Sequence, residues 1–430
     1  ENSAQSDLFY MVLRSLAVFQ AAAATFRATS RVRSSLSFMP RMSNAFDGAA
    51  RQDICILGGG FGGLYTALRL NNLDWGATAK PRITLIDRSD RFAFLPMMYE
   101  LTAGTAAAWE VAPLFTEILN TSDVQFVRGE LRFIDVDERL VGIEQPNSEN
   151  EYKGELQLHR LPYDQCVVAL GAEPTFGDVT GAEDHAQPYY TLDDALQLRE
   201  KLLDRARGIG KEPPLRMVLV GGNYIGVELA ANLCRWLDQS KLDLTLVHRS
   251  DALLSTAAEF SRMVATMELE QAGVKVVLDT SVEEVDSGGV LLRAAGNSRE
   301  LNRINADMVV WAAGTRPNSL ARALSLPTDE RGRIQTDSSL CVRGMEQLHA
   351  LGDVAACVDA RGSRVPSSAQ AAMQQADYAA WNVRAAIRGD PKLPFRYAAL
   401  GEMISLGPTA ASISALGLVN LKGPLASASR

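Results

Sequence analysis

Two stretches of the chain repeat one pattern of apolar and polar positions: a short apolar run, a cluster of glycines, then apolar residues at helical spacing. In the first, Asp53-Ile54-Cys55-Ile56-Leu57 leads into Gly58-Gly59-Gly60-Phe61-Gly62-Gly63. In the second, Met217-Val218-Leu219-Val220 leads into Gly221-Gly222-Asn223-Tyr224-Ile225-Gly226, and the two glycine clusters begin 163 residues apart. A brief apolar run bounded by glycine predicts a buried strand, and the Ala/Leu-rich run that follows predicts an amphipathic helix, over 62–70 in the first case. Each unit continues into another apolar strand: Arg82-Ile83-Thr84-Leu85-Ile86-Asp87 in the first, Leu244-Thr245-Leu246-Val247 ending at His248 in the second. Residues 124–170 alternate, with turn residues such as Asn147-Ser148-Glu149-Asn150, which predicts antiparallel hairpins. That stretch ends in an apolar run reaching Gly171, and the run over 306–317, passing through Gly314, echoes it. An Ala/Gln-rich run from about 367 to 387 predicts a long helix, ended by Pro391 and Pro394.

The pattern is β-α-β twice over, an α/β fold with two Rossmann-like (three-layer ββα) dinucleotide-binding domains. Glycines at Gly58, Gly60, Gly62 and Gly63, with Phe61 among them, let the backbone turn tightly and approach a pyrophosphate, whose charge then sits on the amides of a helix N-terminus. Asp87 falls 24 residues after Gly63, close to where a ribose hydroxyl needs an acceptor, with Arg88 beside it. The second copy departs twice. Asn223 stands where the fingerprint wants its second glycine; Asn tolerates a left-handed backbone, yet its side chain crowds the pyrophosphate and weakens cofactor binding. His248 stands where an acidic residue would accept from a ribose 2′-hydroxyl and repel a 2′-phosphate, and His248 with Arg249 offers donors and positive charge instead. NADPH is therefore expected to be accepted as well as NADH.

Composition narrows the partners. At 430 residues, 47% hydrophobic and 22% charged, the chain is ordinary globular protein of two or three domains. A net charge of −8 argues against a nucleic-acid partner. No uninterrupted apolar run of about 18 residues predicts a spanning helix. Five cysteines without C-x-x-C spacing read as buried thiols in a reducing compartment, and the four histidines show no metal-ligand spacing. Residues 1–50 are rich in Ala, Ser and Arg, lack an acid between Asp7 and Asp47, and carry Met11 at the head of an apolar run. That composition predicts an organelle-targeting leader translated from Met11.

Beyond the two fingerprints, Val168-Ala169-Leu170-Gly171-Ala172-Glu173-Pro174, Trp311-Ala312-Ala313-Gly314-Thr315-Arg316-Pro317 and Leu351-Gly352-Asp353-Val354-Ala355 resemble two-dinucleotide-binding-domain flavoprotein reductases. Within that group, Phe94-Leu95-Pro96-Met97-Met98-Tyr99-Glu100-Leu101, Ala369-Gln370-Ala371-Ala372-Met373-Gln374 and Leu400-Gly401-Glu402-Met403 resemble type II NAD(P)H:quinone oxidoreductases, in wording nearest the plastid and cyanobacterial C-type branch. The resemblance implies FAD on the first turn, with Asp87 on the adenosine ribose and Asp353 on the ribityl or phosphate portion; Asp353 as a plain helix N-cap is the structural alternative. It implies NADH or NADPH on a second domain (179–325) inserted into the FAD domain (51–178 and 326–394), with 395–430 part of a membrane-binding region cut short.

The same resemblance implies hydride transfer from the nicotinamide to FAD and two electrons onward to a membrane prenylquinone such as plastoquinone, without proton pumping. Gln370 and Gln374, four apart, share one helix face and would present amides to a quinone carbonyl. Glu228 matches a glutamate placed near flavin and nicotinamide, although a carboxylate early in a helix is also favourable through the dipole alone. No cysteine pair suits disulfide reduction. Peripheral membrane attachment, a possible homodimer and a plastid in preference to a mitochondrion follow from the likeness. A reductase of this group serving a ferredoxin-type or apoptosis-inducing-factor-like protein acceptor is the alternative.

Overall fold

The computed structural model describes residues 51–146, 156–207, 213–296, 300–407, 409–415 and 419–423; the expected leader and the expected turn at Asn147 to Asn150 lie outside them. One six-stranded sheet runs in the order Cys341–Val342, Met345–Ala350, Gln165–Val168, Asp53–Leu57, Arg82–Asp87, Gln125–Arg128. Its five pairings are parallel except at the Cys341–Val342 edge. A second sheet of five parallel strands is ordered Lys275–Val277, Leu242–Val247, Leu215–Val220, Met308–Trp311, Ala186–Pro188. The first sheet takes strands from before residue 169 and after residue 340; the second takes all of its strands from between.

Alternation along the strands builds the layers. Ile54 and Ile56 of the first strand pack with Phe61, Leu64, Ala67 and Leu70 of the helix Phe61–Asn72 and with Ala376 and Val383 of the helix Ala369–Arg388. Cys55 and Leu57, on the opposite face, pack with Leu131, Ile134, Val141 and Ile143 of an antiparallel sheet. The second domain repeats the arrangement: Met217 and Leu219 face Val227, Ala230 and Leu233 of the helix Tyr224–Trp236, while Val218 and Val220 face Val282, Val285 and Val290 of another antiparallel sheet. A period of two on a sheet buried on both sides makes each strand apolar at every position, which is why the sequence shows runs there.

Two expectations need correction. The stretch 124–170 is antiparallel only in its middle, over Glu130–Asp135, Leu140–Pro146 and Leu156–Pro162. Gln125–Arg128 and Gln165–Val168 are instead parallel strands of the large sheet, and Cys166, Val167 and Val168 are fully buried within it. The long helix ends at Gly389, whose φ of 71° closes it in the left-handed conformation before either proline is reached. Beyond residue 400, Gly401–Ser405, Ala411–Ala415 and Val419–Lys422 form an antiparallel sheet, and its Ile404, with Leu406 and Ala410 of the turn between the first two strands, joins the core of the second domain.

Candidate functional site

The two glycine turns have the same backbone. Gly58 and Gly221 take φ of +100° and +119°, and their N–H groups donate to Ile86 O and Val247 O at 2.8 and 2.9 Å. A Cβ on Gly63 would collide with Gly58 O, and one on Gly226 with Gly221 O, so each helix can leave its turn only as glycine. Gly60 and Asn223 occupy equivalent places with ordinary φ of −70° and −84°. Asn223 therefore does not use the left-handed tolerance expected of it.

What differs is who accepts the amides. At the first turn the Gly59 N–H donates to Asp87 Oδ2 at 2.6 Å, and Asp87 Oδ1 accepts from the Ser89 N–H at 2.7 Å. Burial raises the Asp87 carboxyl above its usual range, with these two amides pulling the other way. Each oxygen keeps a lone pair for a ribose hydroxyl. At the second turn the Gly222 N–H donates to His248 Nδ1 at 3.0 Å. Burial, then the Arg249 charge, lowers the His248 imidazole, so it is neutral and supplies an acceptor to the turn rather than the positive charge expected of it. Arg249 beside it is exposed. Asn223 caps the helix, accepting from the Gly226 N–H at 3.0 Å and donating to Ala312 O at 2.8 Å.

The first turn is shaped for a dinucleotide. Gly60 and Gly171 have no heavy atom within 4 Å of a built Cβ, and Gly352 has only Ala372 Cβ at 3.8 Å, leaving an open glycine floor. Beside it Asp353 lies in the short helix Gly352–Val354, where it caps nothing and has no hydrogen bond among the described residues; burial raises its carboxyl. An unpartnered acceptor at a bare floor fits a cofactor carrying hydroxyls. Gln375, fully buried on the helix Ala369–Arg388, holds the floor by accepting from the Gly352 N–H at 2.7 Å.

On the same helix, Gln370, and Gln374 adjacent to Gln375, face the chain beyond residue 395. Gln370 Oε1 accepts from Tyr397 OH at 3.0 Å and Leu400 N at 3.1 Å, and its Nε2 donates to Gly401 O at 3.2 Å. Gln374 accepts from Ala398 N at 3.0 Å and donates to Ala398 O at 2.8 Å. The strap they hold continues into the strand Gly401–Ser405, which lies along the helix Tyr224–Trp236. Tyr224 OH donates to Glu402 Oε2 at 2.5 Å, and Ser405 N donates to Glu228 Oε1 at 2.9 Å. Tyr224 and Glu228 are four apart and share one face. Glu228 therefore sits beyond the first turn of its helix, and its bond to the Ser405 amide, rather than the helix dipole, accounts for its local fit.

The sequence reading missed Gln375, Tyr397 and Glu402. Gln375 was hidden beside Gln374; Glu402 was legible only as part of a motif. The cysteines are apart from this site. Cys55 and Cys166 are opposite one another in adjacent strands, and burial pushes the Cys55 thiol up to about 12 and the Cys166 thiol well above its usual value, so both stay protonated.

Two dinucleotide turns on two parallel sheets, with an unpartnered carboxylate at the first, define a flavoprotein oxidoreductase of the two-dinucleotide-domain class. The pyridine nucleotide-disulphide oxidoreductase family model matches residues 52–376, and the chain belongs to that family, in its type II NAD(P)H:quinone oxidoreductase branch. It is 39% identical over 377 residues to the demethylphylloquinone reductase NdbB of Synechocystis sp., covering 88% of this chain and 90% of the relative. It is 38% identical over 400 residues to the alternative NAD(P)H-ubiquinone oxidoreductase C1, chloroplastic/mitochondrial, of Arabidopsis thaliana, covering 88% and 76%. Among solved structures, NDH2 of Plasmodium falciparum in complex with NADH superposes with a TM-score of 0.74 at 18% identity, covering 88% of this chain and 93% of that one, a likeness of fold.

Proposed function

We propose that this protein is an FAD-dependent NAD(P)H:quinone oxidoreductase acting on a membrane prenylquinone of the plastoquinone kind, in an organelle and preferentially a plastid. The observation that carries this reading is the likeness, along nearly the whole of one relative, to two enzymes named as reductases of quinones, over a fold in which both dinucleotide turns are formed. The protonated thiols of Cys55 and Cys166 favour it over disulfide chemistry.

Gly58 to Gly63, Asp87, Gly171, Gly352 and Asp353 would hold FAD, the carboxylates accepting from its hydroxyls and the helix amides facing its pyrophosphate. When bound, the flavin supplies the two-electron chemistry between nicotinamide and quinone. Gly221 to Gly226 and Gly314 would hold the nicotinamide cofactor. With no carboxylate at the end of the strand Leu242–Val247 to repel a 2′-phosphate, and with Arg249 free to meet one, NADPH is accepted alongside NADH. Gln370 and Gln374 shape the quinone site by fixing the strap over 397–401, and the second hydrogen of each Nε2 is left for a quinone carbonyl. Among the described residues no helix is long and apolar enough to cross a membrane, so the quinone would be met from the surface.

The test is anaerobic. Adding NADPH or NADH to FAD-loaded protein should bleach the flavin, and a plastoquinone analogue should restore its colour; restoration by a ferredoxin but not by the quinone would overturn the reading. Glu228 is assigned to this exchange. Because glutamine keeps an acceptor for the Ser405 amide, Glu228→Gln should fold and retain FAD but slow flavin reduction or quinone turnover by about tenfold or more. Unchanged single-turnover and steady-state rates would remove Glu228 from the mechanism.

A further inference from the structure

The amide of the second glycine in each turn must be accepted by the residue that ends the next strand. Asp87 can do this at any pH at which it is ionised, and a neutral carboxyl still offers a lone pair. An imidazole can do it only while one nitrogen is bare. His248 does so with Nδ1, which places the ring proton on Nε2; that nitrogen has no partner among the described residues. The ring is packed onto the turn: a Cβ on Gly222 would lie 2.8 Å from His248 Cγ and 2.5 Å from Leu253 Cδ2. The turn is held from the other side as well, since Leu254 N donates to Gly222 O at 2.8 Å. The His248 backbone is fixed to the neighbouring segment through Val277 O and Thr280 N.

Resting on the reading of this turn as the nicotinamide-cofactor site, we propose that His248 is a positioning residue whose neutral Nδ1 sets the pyrophosphate turn, so that NAD(H) binds only to protein with an unprotonated His248. Protonation would set an Nδ1–H against the Gly222 N–H, replacing an attraction by two opposed donors and displacing the turn from beneath the pyrophosphate. Arg249 is the charge that reaches the ring, and it opposes protonation. Asp251 on the same loop and Asp279, whose N–H donates to Ser250 O, are the carboxylates of the adjoining segments, and neither displaces the ring's balance from that set by burial and Arg249. At the first turn Asp87, protonated or not, still offers a lone pair to the Gly59 N–H, so that turn keeps its acceptor where the second turn loses its own.

The experiment is calorimetric titration of oxidised, FAD-loaded protein with NAD⁺, a probe that does not reduce the flavin, from pH 8 downward. Affinity should be level at high pH and then fall about tenfold per unit once the ring begins to take up its proton, because one proton must leave for one ligand to bind. His248→Asn, whose amide oxygen can accept from Gly222 at every pH, should bind NAD⁺ with a flat profile. In parallel, nitrogen NMR of histidine-labelled holoprotein, with the His248 signal identified by its loss in His248→Asn, should show Nδ1 bare and Nε2 protonated at high pH. A level pH profile in the native protein, a falling profile in His248→Asn, or the opposite tautomer would each overturn the role of His248. Failure of NAD⁺ to bind at any pH would instead overturn the reading of the second turn as a nicotinamide site.

Discussion

At the first glycine turn the amide of Gly59 is taken by a carboxylate and the helix entrance at Gly60 is bare; at the second, the amide of Gly222 is taken by an imidazole and the entrance is capped by Asn223. The backbones beneath are the same, down to the forbidden Cβ positions at Gly63 and Gly226. Geometry that any dinucleotide requires is thus kept in both, and the side chains around it are varied. The open turn with its unpartnered Asp353 suits a resident cofactor. The capped turn, on the reading proposed for it, would exchange its own hydrogen bonds for those of a ligand that comes and goes.

The shared backbone is where the largest effects are expected. Gly63→Ala and Gly226→Ala should each cost about 3 kcal/mol or more, because the added methyl falls on a carbonyl oxygen that cannot move without unwinding the turn. Denaturant unfolding would show whether the two costs agree; a mild loss at one turn alone would break their equivalence. A smaller effect separates the turns. Asn223→Gly frees the Gly226 amide for a phosphate oxygen and should tighten nicotinamide-cofactor binding about tenfold, the worth of one charge-assisted hydrogen bond, while costing the helix its cap. Weaker binding would mean that Asn223 touches the cofactor directly.

The smallest effect concerns Asp353. Its carboxyl is raised by burial, so between the ordinary carboxylate range and this raised value the folded chain holds a proton that the unfolded chain has released. Stability of the FAD-free protein accordingly falls as pH rises through that window, and the cost is fully present above it. Asp353→Asn removes it: thermal unfolding of FAD-free protein at pH 7 should rise by a few degrees, while FAD is held less tightly. A lower unfolding temperature would show that the carboxylate supports the fold without cofactor.

Much of this contrast was legible in the sequence, because buried parallel strands and glycine turns leave compact, local signatures. Gly58 to Gly63, Asp87, Asn223 and His248 were found that way. Their roles were harder to read. Asn223 suggested a left-handed backbone and proved to be a cap; His248 suggested charge and proved to be an acceptor, since burial first and the Arg249 charge second disfavour its protonation, and burial is a property of the fold. The strand Gly401–Ser405 was missed because its partners, Tyr224 and Glu228, lie 178 and 177 residues away from the atoms they meet. Gln375 was missed because nothing in composition tells an inward glutamine from the outward one beside it.

That last pair has a consequence of phase. On the 20-residue helix Ala369–Arg388, Gln375 points inward to the Gly352 amide, and Gln374, about 100° around the axis, points to the Ala398 backbone. A helix of that length, about 30 Å, turns as one body. A single residue inserted between the two glutamines would leave either half well formed and rotate one bonding face away from its target. Such a chain should keep FAD or keep its strap, but not both.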